Sequence, residues 1–510
     1  METPDQIYDL AIIGAGINGA GIARDASGRG LKVLLVEQGD IAGATSQWST
    51  KLIHGGLRYL EHYEFRLVRE ALIEREVLLR CAPHLVQPLA FVLPHEPHLR
   101  PAWMIRLGLF MYDHLGGRQT LPESFGVELT PDKWGAGLKP KFHRGFVYAD
   151  ARVDDARMVV MNVMAARELG ADVRVRTRLA AARRDADGKL WQVTLTAVHG
   201  SSQSVRARCI VNASGPWVKE MRDTISHSPA RETVRHVKGS HIVVPRVHDR
   251  PHAYILQNAD HRIVFVIPYH DRYSLIGTTD IAVEEFDHPQ ITRDETVYLL
   301  ALANTYLSAP LSVKDIVWSY SGVRPLYDDG ASDPSSVTRD YVFRIDTGAG
   351  DAQAGAPVLS IFGGKLTTYR KLAEHALAEL LPFFPQMKPA WTATRSLPGG
   401  DLPSGGLTAW IGELGRRYPA LPVDLLRDLA HRHGTRATAV LGGAKTPSDL
   451  GEDFGHGLTA AEVDYLIREE WARAGEDVLW RRTKCGLAMA APDAAKVAAY
   501  VARSVPAVAS

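Results

Sequence analysis

The sequence predicts an α/β protein in which a parallel-sheet domain is joined to an antiparallel sheet and to a C-terminal helical domain. Three observations lead to this prediction. A strand, a glycine-rich turn, a helix and a second strand follow one another in residues 8–37. Strand patterns separated by turns fill about 230–340, and helical patterns fill about 405–508. A chain of 510 residues also exceeds the usual size of one domain.

The composition is that of an ordinary globular protein, with 45% apolar and 23% charged residues. The net charge of +1 gives no overall attraction to nucleic acid, so a bound phosphate would need a local basic cluster. Cys81, Cys209 and Cys485 lie far apart and show no zinc or disulfide spacing, which favours a reducing compartment. We predict no metal site, no signal peptide and no membrane-spanning run.

The first element is a Rossmann-type βαβ unit. "YDLAII" at 8–13 predicts a strand, and "GAGINGAG" then provides Gly14, Gly16 and Gly19 ahead of an alanine-rich helix. These glycines allow a tight turn, close approach of the backbone to a pyrophosphate, and packing of the helix on the strand. The helix N-terminus offers unpaired N–H groups to the phosphates. Glu37 ends the second strand, where its carboxylate can accept from a ribose hydroxyl.

The acid at residue 37 favours NAD or FAD over NADP, and the motif does not choose between those two. The next stretch, "TSQWSTKLIHGGLRYL" at 45–60, favours FAD, because the simplest NAD enzymes have no such hydroxyl-rich loop there. Its polar groups can bond phosphate or ribityl oxygens, and its paired glycines let the backbone lie close to a flavin ring. These residues are Ser46, Ser49, Thr50, Lys51, Gly55 and Gly56.

Two helices are predicted next. "LRYLEHYEFRLVREALIEREVLLR" at 57–80 is amphipathic and predicts one long helix. "AWMIRLGLFMY" at 102–112 is too short to cross a bilayer, and we predict a buried helix in preference to one that lies on a membrane. The apolar stripe of the first helix comprises Leu57, Leu60, Leu67, Val68, Ala71 and Leu72.

The α/β pattern resumes after residue 145. A helix over about 155–169 and a strand near 172–177 are predicted, and "ARCIVNASGPW" at 207–217 predicts a strand that ends in a turn of small residues. Antiparallel strands follow in "HIVVPR", "AYILQ", "RIVFVIPY", "YSLIGTT" and "DIVWSYSGVRPL", interrupted by a helix at "ETVYLLALANTYL". The Gly/Ala-rich segment 346–357 predicts an exposed loop.

A second strand, paired glycine and helix pattern lies in "VLSIFGGKLTTYRKLAEHALAELL". We expect Lys365, Thr367 and Thr368 in the first helical turn, where a lysine would stabilise negative charge on a reduced flavin. Arg370 and Lys371 on the same helix make membrane docking an option. Beyond a linker at 398–400, "DLGEDFGH" and "LWRRTKCGL" suggest no chemistry, and His431 and His433 are interpreted as core or surface residues, not as metal ligands.

Five stretches together resemble the FAD-dependent glycerol-3-phosphate dehydrogenases of the aerobic, respiratory type. They are "IIGAGINGAGIARDASGRGL", "TSQWSTKLIHGGLRYLEHYEFRLVREAL", "KGSHIVVPR", "YSGVRPLYDD" and "FGGKLTTYRKLAEHAL", and the likeness runs from about residue 8 to about 490. The resemblance implies oxidation of sn-glycerol 3-phosphate to dihydroxyacetone phosphate, with a hydride passing from C2 to N5 of FAD and electrons leaving to a membrane quinone. It implies a peripheral protein on the cytoplasmic side of the inner membrane.

The resemblance also implies the domains and the cofactor contacts. A discontinuous FAD-binding domain would comprise 1–85, 145–228 and 340–388, a substrate domain 86–144 and 229–339, and a helical domain 398–510. A small-residue turn would close over the pyrophosphate, with a plain structural turn as the alternative. The implied cofactor residues are Gly14, Gly16, Asn18, Gly19, Glu37, Thr45, Ser46, Ser49, Thr50, Lys51, Leu52, His54, Gly55, Gly56, Ala213, Gly215, Gly364, Lys365, Leu366 and Thr367.

The reaction needs a base for the hydroxyl proton and cations for the phosphate. His241 is the first candidate base and His54 the second, and an arginine at the flavin face, Arg324, could replace either. Burying Arg324 in its apolar strand without an anion would cost several kcal/mol. Thr278 and Asp280 are predicted to shape the pocket, with a plain turn as the alternative. The implied substrate contacts are Arg58, Tyr59, Arg324, Arg339 and Lys365.

Several rival functions remain open at this stage. Molecular oxygen in place of the quinone would make the protein a glycerol-3-phosphate oxidase. An amino-acid oxidase of the same flavoprotein superfamily would need one carboxylate-binding arginine, whereas a cluster of cations suits a phosphate dianion better. A flavin-holding sensor would lack a polar pocket at N5, and an enzyme that uses exchanging NAD would purify without a yellow colour. A homodimer is compatible with the sequence, which does not decide it.

Overall fold

The computed structural model describes residues 6–96, 100–117, 120–226, 234–258, 262–327, 340–348 and 355–505, apart from the side chain of His62. The strands described are β1 (Ile7–Ile13), β2 (Val33–Val36), β3 (Leu52–Ile53), β4 (Val86–Pro94), β5 (Phe125–Glu128), β6 (Arg144–Val153), β7 (Asp172–Arg174), β8 (Thr177–Arg184), β9 (Trp191–Ala197), β10 (Ser202–Asn212), β11 (Val234–Pro245), β12 (Ala253–Gln257), β13 (Ile263–Tyr269), β14 (Tyr273–Gly277), β15 (Ile281–Ala282), β16 (Trp318–Tyr327), β17 (Val342–Asp346), β18 (Val358–Phe362), β19 (Asp453–Gly455) and β20 (Leu458–Thr459).

The α-helices lie between and after these strands. They are α1 (Ile17–Gly28), α2 (Phe65–Cys81), α3 (Ala102–Leu115), α4 (Asp155–Glu168), α5 (Val218–Ser226), α6 (Arg293–Tyr306), α7 (Tyr369–Glu379), α8 (Gly406–Arg417), α9 (Val423–His433), α10 (Ala437–Leu441), α11 (Ala460–Glu469) and α12 (Ala491–Ser504). Short 3-10 turns join several of them, and a π-helical turn covers Asp477–Arg482.

The first sheet carries the predicted βαβ unit. Its described strands follow the order β17-β18-β10-β1-β2-β7, and β9 and β8 extend it beside β10. The pairs β1–β10, β1–β2, β10–β18 and β2–β7 are parallel. Apolar residues of α1, α4 and α7, such as Ile22, Met161 and Leu372, pack with Ile12 and Leu35 in one core. The predicted strand, glycine turn, helix and strand are confirmed.

The second sheet is mostly antiparallel. Its described strands follow the order β15-β11-β14-β13-β12-β4-β6-β3, with β16 beside β11 and β5 beside β6. The strands and the helix predicted in 230–340 are present as β11 to β16 and α6, so the antiparallel second layer is confirmed. Leu299 of α6 packs with Ile242 and Val264 from the sheet. Since β6 pairs with β4 along Val86–Pro94, we propose placing the domain boundary after Val153 and not at residue 145.

The C-terminal residues form a helical unit with its own core, as predicted. Leu414, Leu429, Val463 and Val497, from four different helices, pack in one buried cluster. A two-stranded hairpin, β19–β20, lies within this unit and departs from the purely helical prediction. Gly457, with φ +69°, lies in its turn.

The predicted helix over 57–80 is shorter than expected. Residues 57–62 form a 3-10 turn, Tyr63 adopts the left-handed conformation with φ +58°, and α2 begins only at Phe65. The left-handed residue breaks the helical hydrogen bonding, so a single helix over this stretch was wrong. The apolar stripe is still correct in part, because Leu67, Val68, Ala71 and Leu72 are buried.

Helix α3 is not the buried helix that we predicted. Only Leu109 and Tyr112 are buried, while Trp103 is 66% exposed and Phe110 is 55% exposed. Met104 and Leu107 are also exposed, and all four large apolar side chains recur at helical spacing on one face. Periodicity shows that a helix has an apolar face but not what covers it. Among the described helices, none combines the length and the hydropathy needed to cross a bilayer.

Candidate active site

A cavity of about 1090 Å³ lies where β1, β2 and β10 end. Ile13, Val36 and Ala213 mark these strand ends in its wall. Ligands of open parallel sheets bind at the carboxyl ends of the strands, so this is the expected place for a dinucleotide. The predicted cofactor residues in the cavity wall are Gly14, Gly16, Glu37, Thr45, Ser46, Ala213 and Gly215.

The glycine turn is shaped by close backbone contacts. Gly14 has φ +104°, and a Cβ there would lie 2.6 Å from the carbonyl oxygen of Ala213. A Cβ on Gly19 would lie 1.9 Å from the carbonyl oxygen of Gly14. Ser46 Oγ accepts a hydrogen bond of 3.0 Å from the backbone N–H of Ile17, in the first turn of α1. The hydroxyl-rich loop therefore meets the helix N-terminus that would face the phosphates.

Glu37 is held by two backbone groups. Its Oε2 accepts from the N–H of Ala15 at 2.8 Å, and its Oε1 accepts from the N–H of Gly39 at 2.7 Å. Burial raises the pKa of Glu37, and these two hydrogen bonds oppose that rise. Both bonds fix the carboxylate in the cavity wall, where a ribose hydroxyl could donate to it.

The loop after Ser46 is tied to the protein by its polar groups. Lys51 Nζ lies 2.9 Å from both carboxylate oxygens of Asp155 and donates to the carbonyl of Gln47, also at 2.9 Å. Ser49 Oγ donates to Asp155 at 2.7 Å, and Thr45 Oγ1 donates to the carbonyl of Val323 at 2.6 Å. The buried Lys51 ammonium neutralises a buried carboxylate, and these groups shape the loop.

His241 occupies a buried position at the end of this loop. Its side chain is 2% exposed, and its ring stacks on Tyr320 with centroids 4.7 Å apart. A hydrogen bond of 3.0 Å joins His241 Nε2 to Thr50 Oγ1, whereas Nδ1 has no hydrogen-bond partner among the described residues. Burial, aided by the charges of Lys51 and Arg324, holds the pKa of His241 well below its usual range. The imidazole is therefore neutral at physiological pH.

Arg324 lies near His241 because β11 and β16 are antiparallel neighbours, with His241 opposite Tyr320 and Val237 opposite Arg324. A Cβ on Gly239 would lie 2.6 Å from Arg324 Nη2, so a glycine leaves room for the guanidinium. Arg324 has an anionic partner in the protein. Its Nη2 lies 2.6 Å from Asp280 Oδ1 and donates to the carbonyl of Thr279 at 3.1 Å. Asp280 is thus an anion of the protein itself that offsets the cost of placing Arg324 in this strand.

The paired-glycine segment reaches the same region. Asn18 Nδ2 donates to the carbonyl of Gly363 at 3.1 Å, and a Cβ on Gly364 would lie 3.0 Å from that nitrogen. The backbone N–H of His54 lies 3.4 Å from Thr367 Oγ1. Helix α7 begins at residue 369, so the expected first-turn residues 365, 367 and 368 precede the helix in a turn.

Two cationic predictions at this segment have different outcomes. Lys365 Nζ lies 4.0 Å from the ring centroid of Tyr59, which brings these two predicted substrate contacts together. Arg370 is buried and bonded to Glu74 and Glu374, so this arginine is not available for docking on a membrane.

The remaining predicted residues are placed as follows. Arg58 is partly exposed beside Tyr59, Leu52 is buried in β3, and Leu366 packs against the first core. The N–H of Gly55 donates to Tyr112 at 2.7 Å. Gly56 has φ +75°. Arg339 lies outside the described residues, as does part of the predicted loop 346–357.

Sequence reasoning missed several parts of the cavity wall. The residues that were missed include Arg176, Arg178, Trp217, Glu220, Met221, Thr224, 286–290 and 318–321. The C-terminal unit contributes Ala474, Glu476, Asp477 and Arg481. Nothing in the local patterns links these separated stretches, because they meet only through the packing of the two sheets and the C-terminal unit.

The described residues fit a flavin adenine dinucleotide. The cavity volume of about 1090 Å³ is at the upper end of the usual range for cofactor sites. The glycine turn has no room for a Cβ at Gly14 or Gly19, so its backbone can come close to a ligand. Asn18 Oδ1 is buried with no hydrogen-bond partner among the described residues, and it lies next to the predicted flavin-side glycines. An acceptor of this kind is available for a cofactor N–H or hydroxyl.

Two family models match the chain. The model described as FAD dependent oxidoreductase matches residues 9–370, and the model described as C-terminal domain of alpha-glycerophosphate oxidase matches residues 390–507. The aerobic glycerol-3-phosphate dehydrogenase of Escherichia coli (strain K12) is 53% identical over 505 residues, 98% of each chain. This chain belongs to the FAD-dependent glycerol-3-phosphate dehydrogenase family.

Other members and neighbours agree with this assignment. The D-erythritol 1-phosphate dehydrogenase of Brucella abortus (strain 2308) is 48% identical over 478 residues, which is 93% of this chain and 94% of the relative. The crystal structure of a glycerol-3-phosphate dehydrogenase from Bacillus halodurans, complexed with FAD, aligns with a TM-score of 0.75 and 25% identity over 98% of this chain and 95% of that one. The predicted family, the fold class and the FAD cofactor are thus confirmed.

Proposed function

We propose that the chain oxidises sn-glycerol 3-phosphate at C2 to dihydroxyacetone phosphate and passes the electrons to a membrane quinone. FAD, when bound, supplies the acceptor for the hydride at N5. The chain itself must hold the phosphate, orient C2 toward the flavin and remove the hydroxyl proton. The observation that carries the proposal is the placement of Arg324 and His241 on neighbouring strands, beside the loop that holds Thr50.

Each chemical task has a candidate residue. The guanidinium of Arg324 presents a planar set of donors that suits a phosphate, and Lys365 and Arg58 add positive charge from the cofactor side. Neutral His241, oriented by Thr50 and by its stack on Tyr320, is our candidate to take the hydroxyl proton. Cations near the substrate also favour the alkoxide that precedes hydride loss.

Anaerobic addition of substrate tests the reaction directly. We expect sn-glycerol 3-phosphate to bleach the flavin absorbance of the purified protein, and we expect glycerol to fail because it lacks the phosphate. D-erythritol 1-phosphate is the most informative alternative substrate, because the Brucella relative is named for its oxidation. We expect a lower kcat/KM for D-erythritol 1-phosphate than for sn-glycerol 3-phosphate. Bleaching by glycine, or equal kcat/KM for both phosphates, would contradict the proposed substrate. Oxygen consumption during turnover without quinone would favour the oxidase alternative.

The exposed face of α3 supports docking on a membrane. Trp103, Met104, Leu107 and Phe110 form this face, while Ile105, Leu109 and Tyr112 pack the opposite side of the helix against the protein. An amphipathic helix that offers tryptophan and phenylalanine lies at the boundary of headgroups and acyl chains. This placement would bring the chain to its quinone without a spanning segment. We retain a homodimer as a separate expectation that α3 does not require.

Substitution of the apolar face should release the protein from lipid. Replacing Trp103 and Phe110 together by glutamate is expected to lower the bound fraction on phosphatidylethanolamine–phosphatidylglycerol vesicles by roughly tenfold or more, because two exposed aromatic side chains that would insert into the lipid are lost. Vesicle sedimentation measures this fraction, and activity with a water-soluble dye acceptor should not change. Val423→Glu, at an exposed apolar side chain at the start of α9, is the control. An equal loss in both variants, or none in either, would count against docking through α3.

A further inference from the structure

The C-terminal unit reaches into the wall of the cofactor cavity. Ala474, Glu476, Asp477 and Arg481 line it, and they belong to the "LWRRTKCGL" motif and the residues just before it. The rest of the wall comes from the two sheet layers and their loops. Segment 474–482 is therefore the place where the C-terminal unit meets the bound dinucleotide.

Asp40 anchors this segment to the loop that follows β2. It is 5% exposed and lies three positions after Glu37. Arg481 Nε donates to Asp40, and Arg482 donates to both Asp40 oxygens at 2.8 Å. The side chain of Arg482 is fully buried, so these bonds are shielded from solvent. Loss of the Asp40 charge would leave the buried guanidinium without compensation, which is strongly destabilising.

Asp477 anchors the same segment to the turn between β7 and β8. Arg176 Nη2 lies 2.8 Å from its carboxylate, and the N–H groups of Arg473 and Ala474 donate to it at 2.8 and 2.9 Å. The N–H of Arg176 in turn donates to the carbonyl of Gly39 at 3.0 Å. One segment thus connects the loop after β2 with the turn between β7 and β8, on both sides of Glu37.

An aromatic stack extends the contact along the cavity. The rings of Trp480 and Trp318 lie 4.6 Å apart at 21°, and Trp318 lines the cavity. Trp318 contacts Tyr320, on whose ring His241 stacks. The segment therefore contacts the cavity wall through Trp480 and through its ion pairs with Asp40 and Arg176, and the ion pairs lie near Glu37.

We propose that segment 474–482 positions the adenosine end of the FAD site. By fixing the two loops on either side of Glu37, it preorganises the carboxylate and the wall that receive the ribose and adenine. Affinity for the adenosine half then depends on the C-terminal unit, whereas the flavin half depends on the loops around His54 and Gly364. Preorganisation of this kind raises affinity by removing the cost of ordering loops during binding.

Binding of half-ligands to the FAD-stripped full chain tests this division. Asp40→Asn keeps the shape but loses the charge at the anchor, and it is expected to weaken ADP binding by about tenfold with FMN binding unchanged. Titration calorimetry with ADP and flavin fluorescence with FMN and FAD measure these affinities. FAD affinity should fall by the same factor as ADP affinity, and the anaerobic spectrum of the FAD-loaded protein should be preserved.

A matched variant separates positioning from general stability. Glu462→Gln removes another fully buried carboxylate of the C-terminal unit, bonded to Arg432 and His433 and absent from the described cavity wall. It should lower the melting temperature and leave ADP affinity intact. If Asp40→Asn does not fold, Trp480→Leu provides the same test, with ADP affinity reduced and FMN affinity kept. Equal losses of ADP and FMN binding, or a loss of ADP binding as large in Glu462→Gln, would overturn the proposal.

Discussion

Replacement of Arg324 by methionine is expected to raise KM for sn-glycerol 3-phosphate by about 100-fold or more while FAD stays bound. Two charge-assisted hydrogen bonds to a phosphate contribute about 3–5 kcal/mol together, which corresponds to this change. Methionine keeps most of the volume of the arginine stem, so β16 should remain paired with β11. Steady-state kinetics with a dye acceptor and the flavin content of the purified variant measure the two effects.

Asp280 provides the control for this prediction. Its carboxylate lies 2.6 Å from Arg324 Nη2 and would repel a phosphate dianion bound to the same guanidinium. Asp280→Asn should therefore leave KM unchanged or lower it. If Arg324→Met has a normal KM and loses its flavin, Arg324 supports binding of the cofactor and is not the phosphate anchor.

Replacement of His241 by asparagine is expected to lower kcat by about 10²–10⁴-fold, the usual contribution of a general base. Asparagine can keep a hydrogen bond to Thr50 but cannot take a proton at neutral pH. Because burial and the neighbouring cations lower the pKa of His241, the folded enzyme keeps its imidazole neutral even below the pH at which an ordinary histidine titrates. The acid limb of log kcat/KM due to His241 should thus lie below about pH 6.5.

His54→Asn is the matched comparison for the base. His54 is partly exposed and contacts the flavin-side segment through its backbone N–H. We expect its kcat to stay within a few-fold of the unaltered chain and its pH profile to keep the same acid limb. A large loss of kcat in His54→Asn together with a mild effect in His241→Asn would reverse the assignment.

The sequence predicted what is encoded in neighbouring residues. Gly14, Gly19 and Glu37 lie within one βαβ unit, so their spacing alone predicted the turn and the carboxylate that the structure shows. Strand patterns of period two likewise predicted the second sheet. The contacts of Lys51 and Arg324 were beyond this reasoning, because Asp155 and Asp280 reach them only through the folded chain.

Two other features depended on what surrounds an element. The exposure of α3 could not be read from its apolar pattern, because a covered face and an uncovered face have the same periodicity. Asp477 and Arg481 line the cavity and are linked to Asp40, which lies more than 400 positions earlier in the chain. No local pattern in the sequence connects these residues. Both features follow from packing between distant segments.

The parallel order of the first sheet also has a consequence during synthesis. The strand β1 is translated first, but its parallel neighbour β10 ends at Asn212, and β18 beside β10 ends at Phe362. At ribosomal rates of about 5–20 residues per second, β1 waits roughly 10–40 s for β10, and the sheet waits longer for β18. Throughout that interval the nascent chain carries an unpaired apolar strand edge that can pair with other chains.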